Sequence, residues 1–157
     1  MRIDRLDAQL LNLLQENASV SLRELSEKVH ASPATCQRRI AQLMDSGVGI
    51  KQVLIVDRQL VGRALTVFVS VEMDKQNDAL LRTFENTMRQ EQDVMACYEV
   101  SGEFDFMLIV NSASMEGYHT FTRRVFSPRN NVRNFKSHFA MNCSKFETKI
   151  PIDPREH

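Results

Sequence analysis

The spacing of apolar residues is helical throughout the first fifty residues and mixes alternating with helical runs beyond them, and that change sets what the chain can fold into. Up to Gly47 the apolar residues recur at helical intervals; from Leu65 they alternate. A helix returns to one face every 3.6 residues and a strand every two, so the two stretches cannot share one architecture. The pattern predicts a helical N-terminal unit and a second unit built on a sheet.

Each helix of the first unit has its own start signal. Asp4 precedes a stripe of Leu6, Leu10, Leu11 and Leu14. Ser21-Leu22-Arg23-Glu24 reads as a capping box, in which the hydroxyl and the carboxylate satisfy each other's free N–H groups; the helix behind it buries Leu22, Leu25 and Val29. Ser32-Pro33 opens a third helix, serine as N-cap and proline where a missing N–H costs nothing. Gly47 ends it.

Val53-Leu54-Ile55-Val56 reads as a short apolar strand, closed by Asp57-Arg58. From Leu65 to Met73, residues 65, 67, 69, 71 and 73 share a face, the pattern of a strand covered on one side. Residues 78–90 return to helical spacing with Leu80, Leu81, Phe84 and Met88 inward. Strands at about 94–101 and 105–112 meet through Ser101-Gly102-Glu103, and Ser114 caps a helix carrying Met115, Tyr118, Phe121 and Val125. A last strand, about 131–143, alternates through Phe135, Ser137, Phe139 and Met141. The expected fold class is α+β, with the β-α-β-β-α-β order of a ferredoxin-like domain following the helices. The boundaries are 1–50 for the helical domain, 51–64 for a linker or hinge strand, and 65–157 for the sheet domain.

Composition narrows the function. No apolar run approaches the roughly 20 residues of a membrane span, and Met1-Arg2-Ile3-Asp4-Arg5 lacks the core of a signal peptide, so the expected location is cytoplasmic, with no membrane partner. Cys36, Cys97 and Cys143 are scattered and form no CxxC pair, which argues for reduced thiols and no metal site. His30, His119, His138 and His157 have no carboxylate or cysteine at useful spacing, and there is no P-loop, GxSxG or HExxH. The chain reads as a non-enzyme without a cofactor. Twenty basic and twenty acidic residues give zero net charge, a mild count against nucleic-acid binding.

The third helix answers that count locally. At 100° per residue, Cys36, Ile40 and Leu43 fall within about 60° and form its buried stripe. The opposite face holds Ala34, Arg38, Ala41 and Gln42, with Thr35 and Gln37 on its shoulders. Small residues allow close approach to a major groove, and Arg and Gln match guanine and adenine edges. Arg39 sits on a flank where a phosphate contact is expected. From Ser32 to Met44 there are two arginines and no acid. A solvated helix face would read the same way, and two arginines per groove bind feebly, so DNA binding would require paired helices from at least a dimer.

Several separate motifs, in order, resemble the Lrp/AsnC (feast/famine) family of transcription regulators. They are Ile3-Asp4-Arg5-Leu6-Asp7, Leu10-Leu11 and Leu14-Gln15-Glu16-Asn17-Ala18, then Leu25-Ser26-Glu27-Lys28-Val29 with Ser32-Pro33-Ala34-Thr35-Cys36 and Arg38-Arg39. Farther on come Gly102-Glu103-Phe104-Asp105-Phe106 and Ser137-His138-Phe139-Ala140-Met141. The chain departs from the family at Gly49, where isoleucine is common, at Lys51-Gln52, which replaces Gly-Tyr, and at Arg58, which replaces a frequent proline.

The resemblance implies a helix-turn-helix of the winged-helix type that contacts double-stranded DNA through Ser32, Ala34, Thr35, Gln37, Arg38, Arg39 and Gln42. It implies a homodimer formed through the sheet, assembling into an octamer or other higher oligomer. It also implies an amino-acid effector held between dimers by Ser101, Gly102, Glu103, Phe104 and Asp105. Asp105 would meet the effector's ammonium and the Gly102 turn would offer N–H groups to its carboxylate, with Ser137 and His138 contributing from the facing sheet. Apolar residues Met95, Ala96 and Tyr98 nearby suit a hydrophobic amino acid. A Gly-x-x-Asp turn is also ordinary hairpin chemistry, and His138 alone reads as a sheet-surface residue. The alternative function is an architectural, DNA-compacting protein without an effector.

Overall fold

The computed structural model describes residues 2–153; His157 lies outside them. They form two compact units, 2–55 with 145–153, and 56–144.

The first unit holds three helices: α1 (Arg5–Glu16), α2 (Leu22–Val29) and α3 (Pro33–Asp45). Asp4 caps α1 in a reciprocal box with Asp7, each carboxylate accepting the other's backbone N–H at 2.9 and 3.1 Å. The box expected at Ser21 is only half formed: the Ser21 hydroxyl accepts the Glu24 N–H, but the Glu24 carboxylate meets that hydroxyl rather than the Ser21 N–H. α2 ends with His30 in the left-handed region (φ 54°), and Ser32 caps α3 two residues later. That tight turn sets α3 against α2. Leu10, Leu25, Val29 and Cys36 close the core between the helices, flanked by Leu6, Leu14, Leu22 and Ile40.

The segment from 145 returns to α1. The Asn12 and Gln15 amides each pair with both backbone groups of one extended residue, Ile152 and Ile150 respectively, at 2.8–3.3 Å. Lys149 pairs with Glu16. Asn12 and Gln15 lie one helical turn apart while Ile150 and Ile152 lie one strand repeat apart, so the two spacings match.

The second unit is a four-stranded antiparallel sheet ordered β2-β3-β1-β4, with β1 at Leu65–Met73, β2 at Val94–Glu99, β3 at Phe106–Ser112 and β4 at Val132–Phe139. Helices α4 (Asp78–Gln90) and α5 (Met115–Val125) cover one face. Val67, Val69, Val71 and Met73 of β1 pack there against Phe84, Met88, Phe121 and Val125, as the alternation requires. The N-terminal helices and the β-α-β-β-α-β unit together are the expected α+β class. Inside this unit Arg63 pairs with Asp93 and with the buried Asn111, whose amide also donates to the Arg63 and Leu65 carbonyls at 2.8 and 3.2 Å.

Three expectations need correction. The Val53–Val56 strand does not form: residues 50–57 carry no regular structure, and Leu54 is 87% exposed. A strand exists only where a neighbour shares its hydrogen bonds, and no described strand lies alongside. For the same reason no wing hairpin follows α3 among the described residues. On α4, Leu80 is exposed while Leu81, Phe84 and Met88 turn inward. β4 ends at Phe139, leaving Met141 exposed beyond it.

Candidate DNA-binding and effector sites

On α3, Cys36 and Leu43 are buried and Ile40 is half-buried, so the stripe predicted from spacing is the packed one. Ala34, Gln37, Arg38, Ala41 and Gln42 are exposed together. Arg38 reaches along the helix to Gln42, Nη1 to Oε1 at 3.4 Å, which places the guanidinium and the amide side by side. The Ser32 and Thr35 hydroxyls bond each other at 2.9 Å, and the Ser32 hydroxyl also accepts the Thr35 N–H. These two residues thus fix the helix N-terminus as well as standing at the edge of its outer face.

Arg39 is not on that face, which corrects its expected phosphate-contacting position. Its guanidinium turns inward to α1, 2.7 Å from the Asp4 carboxylate and 3.3 Å from that of Asp7, whose side chain is fully buried. The pairing with the Asp7 backbone N–H, with the Arg39 charge assisting against some desolvation, holds the Asp4 carboxyl below its ordinary value. Arg39 therefore ties α3 to α1 and orients the outer face without belonging to it. Its Nε is buried and has no partner among the described residues, so the pairing is carried by the two Nη atoms. The signal for this role was the acidic pair on α1, 32 and 35 residues away.

The departure at Gly49 has a local partner. A Cβ at this position would collide with the Met44 sulfur, so the Met44 side chain occupies the space an isoleucine would need. The Gly49 N–H bonds the Leu43 carbonyl at 3.0 Å, closing the end of α3.

In the second unit, the β2–β3 turn exposes Ser101, Gly102 and Glu103, with Phe104 and Asp105 half-buried. Gly102 has φ 129°, a conformation that glycine adopts at little cost and residues with a side chain rarely do. Among the described residues no acceptor takes the backbone N–H groups of Ser101 to Phe104. The Asp105 carboxylate is occupied: it accepts the Met73 N–H at 2.6 Å and the Gln76 amide at 2.7 Å. Its own N–H bonds the Val71 carbonyl, so Asp105 pins the turn to the end of β1. Gln76 was not among the residues expected there; no local sequence signal marks it.

Ser137 and His138 lie on opposite faces of β4. Ser137 is opposite Val69 and bonds the Tyr118 hydroxyl of α5 beneath the sheet, while His138 is opposite Phe68 on the open face. Burial raises the Tyr118 pKa above its ordinary value, with the Ser137 hydrogen bond opposing. That open face also carries Phe68, Tyr98, Met107 and Ile109, of which Phe68 and Tyr98 are exposed. Met95, Ala96 and Cys97 of β2 instead line a cavity of about 220 Å³ against Glu85, Met88 and Arg89 of α4. Among the described residues no His, Cys, Asp or Glu cluster is placed to hold a metal, and no helix is long and apolar enough to cross a membrane.

A helix-turn-helix joined to a sheet domain of this topology defines a DNA-binding transcription regulator with a ligand-binding domain. Residues 3–44 match the AsnC-type helix-turn-helix domain and 66–150 the Lrp/AsnC ligand binding domain. The chain belongs to the Lrp/AsnC family. It is 50% identical over 148 residues to an HTH-type transcriptional regulator of Haemophilus influenzae, covering 94% of this chain and 88% of the relative. It is 29% identical to the DNA-binding transcriptional activator DecR of Escherichia coli K12, covering 96% and 99%. Among solved structures, an AsnC family regulator from Agrobacterium tumefaciens superposes with TM-score 0.88 at 31% identity over 94% and 96% of the chains. A transcriptional regulator from Neisseria meningitidis, solved as a complex with L-methionine, gives TM-score 0.88 at 27% identity over 96% and 97%.

Proposed function

We propose that this regulator reads DNA sequence through the outer face of α3 and responds to a small effector, an amino acid bound at the 101–106 turn between dimers. The observation that carries the first half is the exposed Arg38–Gln42 pair on a face it shares with Ala34, Gln37 and Ala41. Two adjacent side chains with bidentate geometry suit neighbouring guanine and adenine edges. Ser32, Ala34, Thr35 and Gln37 fill the N-terminal end of the same surface. Arg39 acts indirectly, by holding α3 on α1.

For the second half, the turn supplies unengaged N–H groups suited to a carboxylate, and Asp105 holds the turn in shape while leaving carboxylate lone pairs for an ammonium group. The methionine bound by the Neisseria relative supports an amino acid with an apolar side chain. Phe68, Tyr98, Met107 and Ile109 on the open sheet face suit a second copy, and one face-to-face pairing leaves the turns free to meet another dimer in a higher oligomer. His138 stands on that open face; Ser137 faces α5 and serves the fold. These features favour an effector-responsive, cytoplasmic, non-enzymatic regulator over purely architectural compaction.

The test is a panel of the twenty free amino acids, read by melting temperature and by DNA affinity. A ligand at a hundredfold over its Kd adds about 2.7 kcal/mol to the folded state, a shift of several degrees. At least one apolar amino acid is expected to raise the melting point and change DNA affinity, and Gly102→Val to remove both effects. A panel with no response in either measurement would overturn the effector half.

A further inference from the structure

The chain is neutral only because its charges are segregated. Within the second unit, residues 56–116 hold 11 acidic and 5 basic side chains, whereas residues 117–144 hold 5 basic side chains and no acidic one. Four of those five fall between the end of α5 and the start of β4: Arg123, Arg124, Arg129 and Arg133. Arg124 is engaged by Glu91 of the residues after α4, Nη2 to Oε2 at 2.8 Å. Arg123, Arg129 and Arg133 are exposed and make no ion pair among the described residues.

Helix C-termini favour cations, which accounts for the two arginines in the last turn of α5. It does not account for the other two. Arg129 lies in a 3-10 turn (Pro128–Asn130), and Arg133 is the unpaired residue of a bulge on edge strand β4, between Val132 opposite Met73 and Asn134 opposite Glu72. Bulges on edges re-aim a side chain, and this one carries an arginine. The acids that border these residues are Glu72 and Asp74 on the β1 side and Glu91, with Asp93 near it, beside Arg124.

We propose that Arg123, Arg129 and Arg133 form a second DNA contact, sequence-independent, that takes phosphates of duplex flanking the site read by α3. The inference rests on the DNA-binding reading of α3 and adds to it. Exposed guanidiniums on one short stretch of chain do not enclose a small anion, but they suit the repeated phosphates of a polyanion. Such contacts add affinity through counterion release and carry no sequence information. A reading helix with one outward arginine needs a supplement of this kind.

The test compares wild type with the triple variant Arg123→Gln/Arg129→Gln/Arg133→Gln on two duplexes. One is a sequence of about 20 base pairs enriched by selection from random DNA, room for one pair of half-sites; the other is the same sequence centred in about 150 base pairs. Each phosphate contact contributes about 0.9 to the slope of log K against log salt. The triple variant is expected to match wild type on the short duplex within about twofold, and on the long duplex to lose about 2–3 from the slope for each protomer engaged. The Arg→Lys triple variant, which keeps the charges, is expected to keep most of the slope. Equal slopes for wild type and the Gln variant on long DNA would overturn the proposal. So would equal losses on both duplexes with an altered assembly by light scattering, which would assign these arginines to contacts between copies. Failure of wild type to enrich any short sequence would instead count against sequence reading by α3.

Discussion

Replacing Arg39 with alanine is expected to unfold the helical unit selectively. The guanidinium is 27% exposed and bridges Asp4 at 2.7 Å and Asp7 at 3.3 Å; the Asp7 side chain is 0% exposed. Removing one member of a buried pair costs about 3–5 kcal/mol, because the remaining charge is stranded. Here the Asp4 side of the bridge is open to water, 46% exposed, and contributes little. Asp7 also keeps the Asp4 N–H at 3.1 Å. The expected loss is therefore about 2–3 kcal/mol. A small helical unit has little stability to spare, and with an m-value of about 1 kcal/mol/M in urea its midpoint would fall by about 2–3 M. The two units can be followed separately, since the chain has no tryptophan and its two tyrosines, Tyr98 and Tyr118, both lie in the sheet unit. The share of the circular dichroism helical band that comes from α1, α2 and α3 should move to lower urea, while the share from α4 and α5 and the tyrosine fluorescence transition stay in place. Arg38→Ala, on the exposed face, should shift neither by more than about 0.5 kcal/mol. An unmoved helical transition in Arg39→Ala would refute the anchoring role.

The Asp4 carboxyl, held low in the fold by the Asp7 N–H and by Arg39, gives stability that is present above its ordinary value of 3.8 and is lost as pH falls through the folded value. Urea midpoints of the helical band taken from about pH 5 to about pH 3 should fall in wild type and fall less in Asp4→Asn; identical slopes would argue against the pairing. The Cys97 thiol is pushed up to about 11 by burial and by Glu85, with Arg89 opposing. Iodoacetamide at about pH 8 should therefore label exposed Cys143 first, Cys97 slowly and buried Cys36 only on unfolding, as mass spectrometry would show.

Local physics made much of this fold legible. Caps at Asp4, Ser32 and Ser114, proline at the start of α3 and the alternation of β1 each act within a few residues, and the structure places these elements where the pattern did. What the sequence left hidden depends on distant partners. Val53–Val56 is as apolar as a strand but has no neighbour to pair with. Arg39 looks like its neighbour Arg38 until α1 brings two carboxylates to it. Asp105 and Gln76 meet across 29 residues, and the segment from Lys149 to Ile152 clasps α1 across more than 130, with no motif announcing either. Zero net charge misled for a related reason: the sum conceals an acid-free stretch.

In the function proposed above, the outer face of α3 reads DNA sequence while Arg39 only holds that face in place. Selection of bound duplexes from a random library, carried out with wild type and with Arg38→Ala, tests it most directly. Wild type should enrich paired half-sites about 10 base pairs apart, and Arg38→Ala should lose preference at one position in each, a cost of about 1–3 kcal/mol there. Enrichment of the same motif at the same affinity by Arg38→Ala would contradict the claim.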